Sequence, residues 1–317
     1  MQKKEKIAAL IFAHNDFSIL DRLIKTLKHP RIDIFLHISY FNNYTFEELD
    51  ALKKNEYLNI IPIEIKTYLD DYSLVVSVLE TIKYAGKNYK YYIKLSGQDY
   101  PIKPIDSLIN HLDTIYPKPL LDCTPFDKSN WIYHKLHQPR WYSYLLIRGR
   151  KYIKIRLIKR LVLILPYLIS KGLDKIYNYE KAAANLNLKI FGGSPMWILS
   201  DKLIEDILNF SNQSKNKKLK LLKKIWTVEE VFFQTVSMMT NYNYLVELNA
   251  IDAIAQNCQT YNYFTDDDKP FKGHPYILTK HQLPLIKSLP SFFARKFSSE
   301  IDTEVLDIID NEILHLS

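Results

Sequence analysis

Hydrophobic and polar positions along the first 125 residues alternate between two periods, one typical of buried strands and one typical of helices. Residues 7–13, IAALIFA, are uniformly apolar, as in a strand that is covered on both faces. From Ile19 to Leu27 the apolar residues recur at helical spacing, and they stop before Pro30. The same succession then repeats, with predicted strands at 32–39, 58–66 and 91–95 and predicted helices after Thr45 and over 73–85.

This rhythm of strands and helices predicts an α/β fold built on a doubly wound sheet. In such sheets ligands bind beyond the carboxyl ends of the strands, where the strand order switches. The segments in that place are AHND, HISYFNN and LSGQDYPI, which follow the first, second and fourth predicted strands. We therefore expect functional side chains in these three segments.

The pattern loosens after residue 125. Residues 126–185 are rich in aromatic and basic residues, and a second organised stretch begins at 186 and runs to the end of the chain. No internal repeat, low-complexity segment or flexible linker separates these parts. We expect one domain over 1–317, in which 126–185 is an insert between a half at 1–125 and a half at 186–317.

The charge of the chain favours anionic partners. Lys and Arg number 43 against 35 Asp and Glu, which gives a net charge of +8 and suits nucleic acid, nucleotide phosphates or an anionic membrane surface. Residues 148–160 carry seven basic residues and no acid, and 161–170 are largely apolar but shorter than the roughly 20 residues that span a bilayer. Segment 148–170 suits either an anionic membrane surface or a core helix with a solvated basic face.

The two cysteines, Cys123 and Cys258, lie far apart and have no metal-binding spacing. This arrangement predicts neither a disulfide framework nor a structural zinc site, and it favours a reducing compartment.

Two adjacent glutamates, Glu229 and Glu230, stand at the start of a predicted helix. Thr227 and Glu230 have the spacing of a capping box, and Trp226 and Val231 occupy the positions of a hydrophobic staple. A carboxylate at a helix start can equally accept a proton from a substrate hydroxyl. The pattern leaves both roles open.

Glycines cluster in two further motifs. The chain has only seven glycines, and Gly97, Gly192 and Gly193 lie in LSGQDYPI and FGGSPMWIL. Glycines after strands let a backbone approach a ligand closely. In the first motif Gln98 and Asp99 add side chains that form hydrogen bonds, although a plain Asp-Tyr-Pro turn is the alternative.

Two adjacent cations, Arg295 and Lys296, lie between aromatic residues in SFFARKFSSEID. Such a pair can bind a diphosphate, and two exposed surface charges are the simpler alternative. No Walker A or G-x-G-x-x-G sequence occurs in the chain, which argues against those two kinds of nucleotide site.

The chain resembles the core-2/I-branching glycosyltransferases, a family that includes the peptide O-xylosyltransferases. Five motifs, in this order, carry the resemblance: IFAHNDFSILDRL, LSGQDYPI, FGGSPMW, VEEVFFQTV and FARKF. The resemblance extends from about residue 5 to 297. It implies a GT-A-like fold, with a doubly wound mixed sheet flanked by helices, and an inverting enzyme that transfers a sugar from a UDP-sugar to an acceptor hydroxyl. N-acetylglucosamine is the sugar we expect first, with xylose, galactose, glucose and glucuronate as alternatives.

The resemblance also implies roles for single residues. Glu230 is expected to be the catalytic base, and Arg295 with Lys296 to bind the donor diphosphate without a metal ion or other cofactor. An in-line displacement needs such a base and such positive charge on the leaving group. The predicted donor site also includes His14, Gln98 and Asp99. The predicted acceptor site comprises Ser194, Trp197, Glu229, Tyr261 and Tyr263.

The chain departs from the family pattern in several places. His37-Ile38-Ser39 replaces His-x-Asp, and residues 68–72 replace Trp-Gly-Gly, which is consistent with a different donor sugar. We read Asp266–Asp268 as a solvated loop rather than a metal site.

The membrane anchor, stem and disulfide cysteines of eukaryotic relatives are not found. We therefore expect a bacterial-type cytoplasmic enzyme that builds surface polysaccharide on a glycan or lipid-linked glycan acceptor, with peripheral membrane contact through 148–170 and no nucleic acid partner. The rival from another class is a basic module that binds membrane or nucleic acid.

Overall fold

The computed structural model describes most of both predicted halves, namely residues 5–39, 43–62, 65, 67, 71–126, 179–225, 227–248, 259–263 and 275–316. Several sequence predictions lie outside the described residues. Among them are residues 40–42 of HISYFNN, residues 68–70, most of the insert with its segment 148–170, and the loop Asp266–Asp268. The single residues Trp226 and Cys258 also lie outside the described part.

The described strands are short or of medium length. They are β1 (Ile7–Ala13), β2 (Ile32–Ile38), β3 (Leu58–Ile60), β4 (Tyr91–Ser96), β5 (Tyr100–Pro101), β6 (Leu120–Leu121), β7 (Thr124–Pro125), β8 (Phe191–Gly192), β9 (Trp197–Ser200), β10 (Thr260–Asn262) and β11 (Phe293–Arg295).

The main sheet has six of these strands, in the order β3-β2-β1-β4-β9-β6. Strands β1 to β4 run parallel, whereas β9 runs antiparallel to both β4 and β6. From β1 the chain moves outward to β2 and β3 and then returns to place β4 on the other side of β1. The strand order therefore switches between β1 and β4, and the predicted doubly wound mixed sheet is confirmed.

Ten α-helices are described. They are α1 (Phe17–Thr26), α2 (Phe46–Lys53), α3 (Tyr72–Ala85), α4 (Ile105–Ile115), α5 (Tyr179–Asn185), α6 (Asp201–Ser211), α7 (Lys217–Leu222), α8 (Phe232–Ser237), α9 (Leu283–Ser288) and α10 (Glu304–Ile308). Short 3-10 turns cover Val228–Glu230, Asn243–Leu245 and Lys280–Gln282, and a π-helical turn covers Ile309–Leu314. No helix of the described part is long and apolar enough to cross a membrane.

The core lies on both faces of the main sheet. Alternate residues of β1 point to opposite faces, so Ala8 and Leu10 join α3 and α6 in one hydrophobic cluster, while Ala9 and Ile11 join α1 and α4 in another. Strand β9 is shared in the same way, because Trp197 enters the first cluster and Ile198 the second. This two-sided burial explains why β1 is apolar throughout.

Local signals predicted most of these boundaries well. The capping box at α2 is present, since the Glu48 N–H donates to Thr45 Oγ1 at 3.2 Å and the Thr45 N–H donates to Glu48 Oε2 at 2.7 Å. The third strand is shorter than the predicted 58–66. Ile61 N–H still donates to Leu36 O at 2.9 Å, but Pro62 has no N–H with which to continue the ladder.

Candidate active site

The carboxyl ends of β1 and β4 lie side by side at the switch point of the main sheet. Phe12 pairs with Ser96, and the Gly97 N–H donates to Phe12 O at 3.0 Å. A Cβ on Gly97 would stand 3.0 Å from Ala13 Cβ, so glycine allows the two chain segments to approach this closely. AHND and LSGQDYPI therefore meet, as their positions after neighbouring strands predict.

A small second sheet joins LSGQDYPI to the FARKF segment. Strands β10, β11 and β5 lie in that order, with Ala294 opposite Tyr100 and Tyr261. Beyond the strands, Phe297 N–H donates to Gln98 O at 3.2 Å. Two motifs that are almost 200 residues apart in the sequence thus form one wall of the site.

Three basic side chains, His14, Arg295 and Lys296, gather on this wall. Burial lowers the pKa of His14, and the positive charges of Lys296 and Arg295 lower it further. Burial and Arg295 also lower the pKa of Lys296, and the nearby carboxylate of Asp16 opposes that effect. Because these groups disfavour each other's positive charge, an anion bound among them would relieve the repulsion.

Asp99 is the buried acid on the same wall. It has no exposed surface, its Oδ2 accepts a hydrogen bond from Ser96 N–H at 2.9 Å, and its Oδ1 lies 3.8 Å from Arg295 Nε. Burial raises the pKa of Asp99 to about 6, although Arg295, the Ser96 N–H and Lys94 all act to lower it. Asp99 and Arg295 therefore attract each other as an ion pair without a hydrogen bond between these two atoms, and the charge of the buried aspartate is poorly solvated.

The acid pair Glu229–Glu230 faces the site from the 3-10 turn at 228–230, and both residues are partly exposed. The predicted capping box is wrong here. Thr227 has a left-handed backbone, with φ of 53°, and its side chain makes no cap hydrogen bond. An N-cap side chain must accept a hydrogen bond from an N–H group of the first turn, and the Thr227 hydroxyl accepts none, so Thr227 does not cap this turn.

The FGGSP turn supports the acid pair from behind. Gly193 N–H donates to the backbone oxygen of Glu230 at 2.9 Å, and Ser194 N–H donates to Asp122 Oδ2 at 2.8 Å. A Cβ on Gly193 would stand 2.0 Å from Asp122 O, so only glycine fits at this position. Gln234 Nε2 donates to Ser194 O at 2.7 Å and completes the support.

The predicted acceptor residues have different environments. Trp197 has no exposed surface and packs against Phe233 with ring centroids 4.8 Å apart, so it is corrected from an acceptor contact to a core residue. Ser194 is almost fully buried, and its hydroxyl accepts a hydrogen bond from Met196 N–H at 3.3 Å. Tyr261 and Tyr263 are half-buried beside β11, and their contact with an acceptor stays a prediction.

Lys94 is a member of the site that the sequence predictions missed. Its buried ammonium donates to Pro195 O at 2.9 Å and lies 3.8 Å from Glu229 Oε2. The available signal was a lysine inside YYIKL, a strand that is otherwise apolar or aromatic and is buried throughout. Within the part of the chain that the structure describes, no group of three or more His, Cys, Asp or Glu side chains is arranged to hold a metal ion.

Comparison with known proteins gives one family. The family model described as Core-2/I-Branching enzyme matches residues 7–275. A bovine beta-1,3-galactosyl-O-glycosyl-glycoprotein beta-1,6-N-acetylglucosaminyltransferase (Bos taurus) is 22% identical over 98% of the chain, and mouse xylosyltransferase 2 (Mus musculus) is 22% identical over 96%. A beta-glucuronosyltransferase of Arabidopsis thaliana, GlcAT14A, is 24% identical over 95%.

The relatives are longer than this chain. The matched region spans 70% of the bovine protein, 33% of the mouse protein and 62% of the Arabidopsis protein. The similarity nevertheless covers nearly all of this chain, including His14, Asp99 and the acid pair.

Proposed function

The chain belongs to the core-2/I-branching enzyme family of glycosyltransferases, and we propose that it transfers a sugar, with inversion, from a UDP-sugar to a hydroxyl of a glycan acceptor. N-acetylglucosamine is the first candidate, because the name of the bovine relative specifies that sugar. Xylose and glucuronate are the alternatives that the names of the mouse and Arabidopsis relatives suggest, and galactose and glucose complete the set to be tested.

One observation carries the proposal. A cluster of basic groups, His14, Arg295 and Lys296, and a pair of carboxylates, Glu229 and Glu230, meet at the carboxyl ends of β1 and β4. Inverting transfer requires a base near the attacking hydroxyl and positive charge near the departing diphosphate. The two groups of side chains supply these two requirements.

In the proposed reaction, the acceptor oxygen forms a bond to the anomeric carbon as the bond from that carbon to the UDP oxygen breaks. Glu230 takes the proton of the acceptor hydroxyl. Arg295 and Lys296 stabilise the negative charge that develops on UDP, and we propose that they do so without a metal ion. Asp99 orients the guanidinium of Arg295 through the contact at 3.8 Å.

The donor site is tested by thermal unfolding with UDP, UDP-sugars, GDP-sugars and CMP-sugars, all in excess chelator. A ligand at 100 times its dissociation constant stabilises the fold by about 2.7 kcal/mol. We expect a shift that is selective for UDP, and we expect Arg295→Met and Lys296→Met to remove it. Lys287→Met is the control, because Lys287 pairs with Glu312 on the exposed surface. A UDP shift that appears only with added divalent metal would contradict the metal-free site.

The base is tested with Glu230→Gln. We expect transfer to fall by about 10²- to 10⁴-fold, the usual contribution of general base catalysis, while the UDP shift stays. Turnover like that of the unmodified chain in this variant would remove the assignment. No response to any nucleotide, together with salt-sensitive binding to nucleic acid, would favour the basic binding module instead.

The acceptor and the location belong to the same proposal. The basic sequence of residues 148–160 and the apolar residues after it favour a lipid-linked acceptor of a surface polysaccharide at the inner face of a bacterial plasma membrane. Co-sedimentation with anionic vesicles but not with zwitterionic ones is the expected result. If equal amounts of the protein sediment with anionic and with zwitterionic vesicles, the result would count against membrane contact through charge.

A further inference from the structure

Lys94 lies between the two halves of the site. It is the fourth residue of β4, with Leu10 of β1 on one side and Trp197 of β9 on the other, and only 3% of its surface is exposed. A central position in a sheet that is covered on both faces is ordinarily apolar. This ammonium group is therefore an exception within the core.

The contacts of Lys94 reach the acid pair by two routes. Its Nζ lies 3.8 Å from Glu229 Oε2, which is a direct ion pair with the first acid. Its Nζ also donates to Pro195 O at 2.9 Å, and two residues earlier in the same turn the Gly193 N–H donates to the backbone oxygen of Glu230. The ammonium is thus linked to the side chain of one acid and to the backbone of the other.

Stability alone does not account for this lysine. A buried ammonium loses its hydration, and replacing a buried ion pair by apolar residues is often neutral or stabilising. Burial lowers the pKa of Lys94. Among the charged groups around it, Glu229, Asp99 and Glu230 raise that pKa and Arg295 lowers it further. The carboxylates around Lys94 stabilise its ammonium group, but a methionine at this position would not pay the cost of desolvating a charge.

We infer that Lys94 is a positioning residue, whose ammonium fixes the orientation of the acid pair by holding Glu229 and the Gly193–Pro195 turn together. The inference rests on the proposed function, in which Glu230 is the base. A displacement of about 1 Å at a reacting group can cost about 100-fold in rate, so a fixed turn matters for the base.

The first test compares Lys94→Met with Lys90→Met. Lys90 is also a buried lysine and pairs with Asp113 at 2.7 Å, but it precedes β4 at the opposite end of the strand. We expect Lys94→Met to stay folded and to lose about 10- to 100-fold in kcat with little change in the donor KM, because the donor cations are retained. Lys90→Met should lose stability and keep kcat.

The second test needs no turnover. The chain labelled with ¹³Cε-lysine is titrated by NMR, and the Lys94 signal is assigned from Lys94→Met. Because Glu229 raises the pKa of Lys94, Glu229→Gln should move this titration to lower pH, whereas Glu205→Gln, a change at an exposed residue of α6, should leave it unchanged.

The outcomes separate the two proposals. A Lys94 titration that is unaffected by Glu229→Gln, or a folded Lys94→Met variant with unchanged kcat, overturns the positioning role. A chain that transfers no sugar contradicts the proposed function, and the NMR titration then still decides whether Lys94 holds the acid pair.

Discussion

Replacing Asp99 by asparagine should make the protein more stable at neutral pH and a poorer catalyst. The two side chains have the same shape, and the amide oxygen can still accept the hydrogen bond that Ser96 N–H donates at 2.9 Å. What the variant loses is a charge in a place with no exposed surface. It also loses the attraction between that charge and Arg295, 3.8 Å away.

The magnitude follows from the raised pKa of Asp99. A rise from 3.8 to about 6 means that ionisation is harder in the folded chain than in the unfolded one. At about 1.36 kcal/mol per pKa unit, the charge costs up to about 3 kcal/mol of folding free energy once both states are ionised. The sign is that of a group that binds its proton more tightly when folded. The stabilisation of the folded state by this tighter proton binding is fully present below pH 3.8 and is lost as the pH rises through about 6.

The assay is urea unfolding of both proteins between pH 4 and 8. We expect the advantage of Asp99→Asn to grow from near zero at pH 4 to about 1 to 3 kcal/mol at pH 8, while transfer activity falls about 10-fold because Arg295 loses its anchor. Asp113→Asn is the control of opposite sign. Hydrogen bonds from Arg31 and Lys90 hold the pKa of Asp113 well below its usual range, so that variant should be less stable at neutral pH.

A difference in unfolding free energy between Asp99→Asn and the unmodified chain that does not vary with pH would contradict this prediction. A variant that is less stable at pH 8 would refute it equally. Either result would mean that the Asp99 charge does not oppose folding.

Two further predictions concern the glycines at the site and His14. Gly193→Ala should lower the free energy of unfolding by about 1 to 3 kcal/mol and kcat by about 100-fold, since its Cβ would stand 2.0 Å from Asp122 O. In the same unfolding assay Gly97→Ala should lose less stability, because the closest contact of its Cβ is a side-chain atom at 3.0 Å. Because burial and the nearby cations lower the pKa of His14, a bound diphosphate should raise it again, so UDP binding should take up a proton and strengthen as the pH falls, as calorimetry in two buffers would show. Proton uptake that persists unchanged in His14→Gln would contradict that assignment.

The sequence by itself determined the elements whose signals are local. Apolar continuity located β1 and β4, helical spacing located α1 and α3, and the box at Thr45 and Glu48 located the start of α2. These features depend on residues within one or two turns of each other, so neighbours in the sequence suffice to identify them. Because ligands of such sheets bind beyond the carboxyl ends of the strands, these elements also indicated where the site would form.

Tertiary structure decided which residues of those motifs face the site. Thr227 has capping-box spacing, yet its backbone is left-handed and its side chain makes no cap hydrogen bond. Trp197 stands in a promising motif but fills the core. The pairing of Gly193 with Glu230, and of Asp99 with Arg295, joins segments far apart in the chain. Local periodicity carries no information on such pairs. A charged residue such as Lys94 can be buried within the site only where partners from other parts of the chain compensate for the water that it loses. Those partners are set by the tertiary structure.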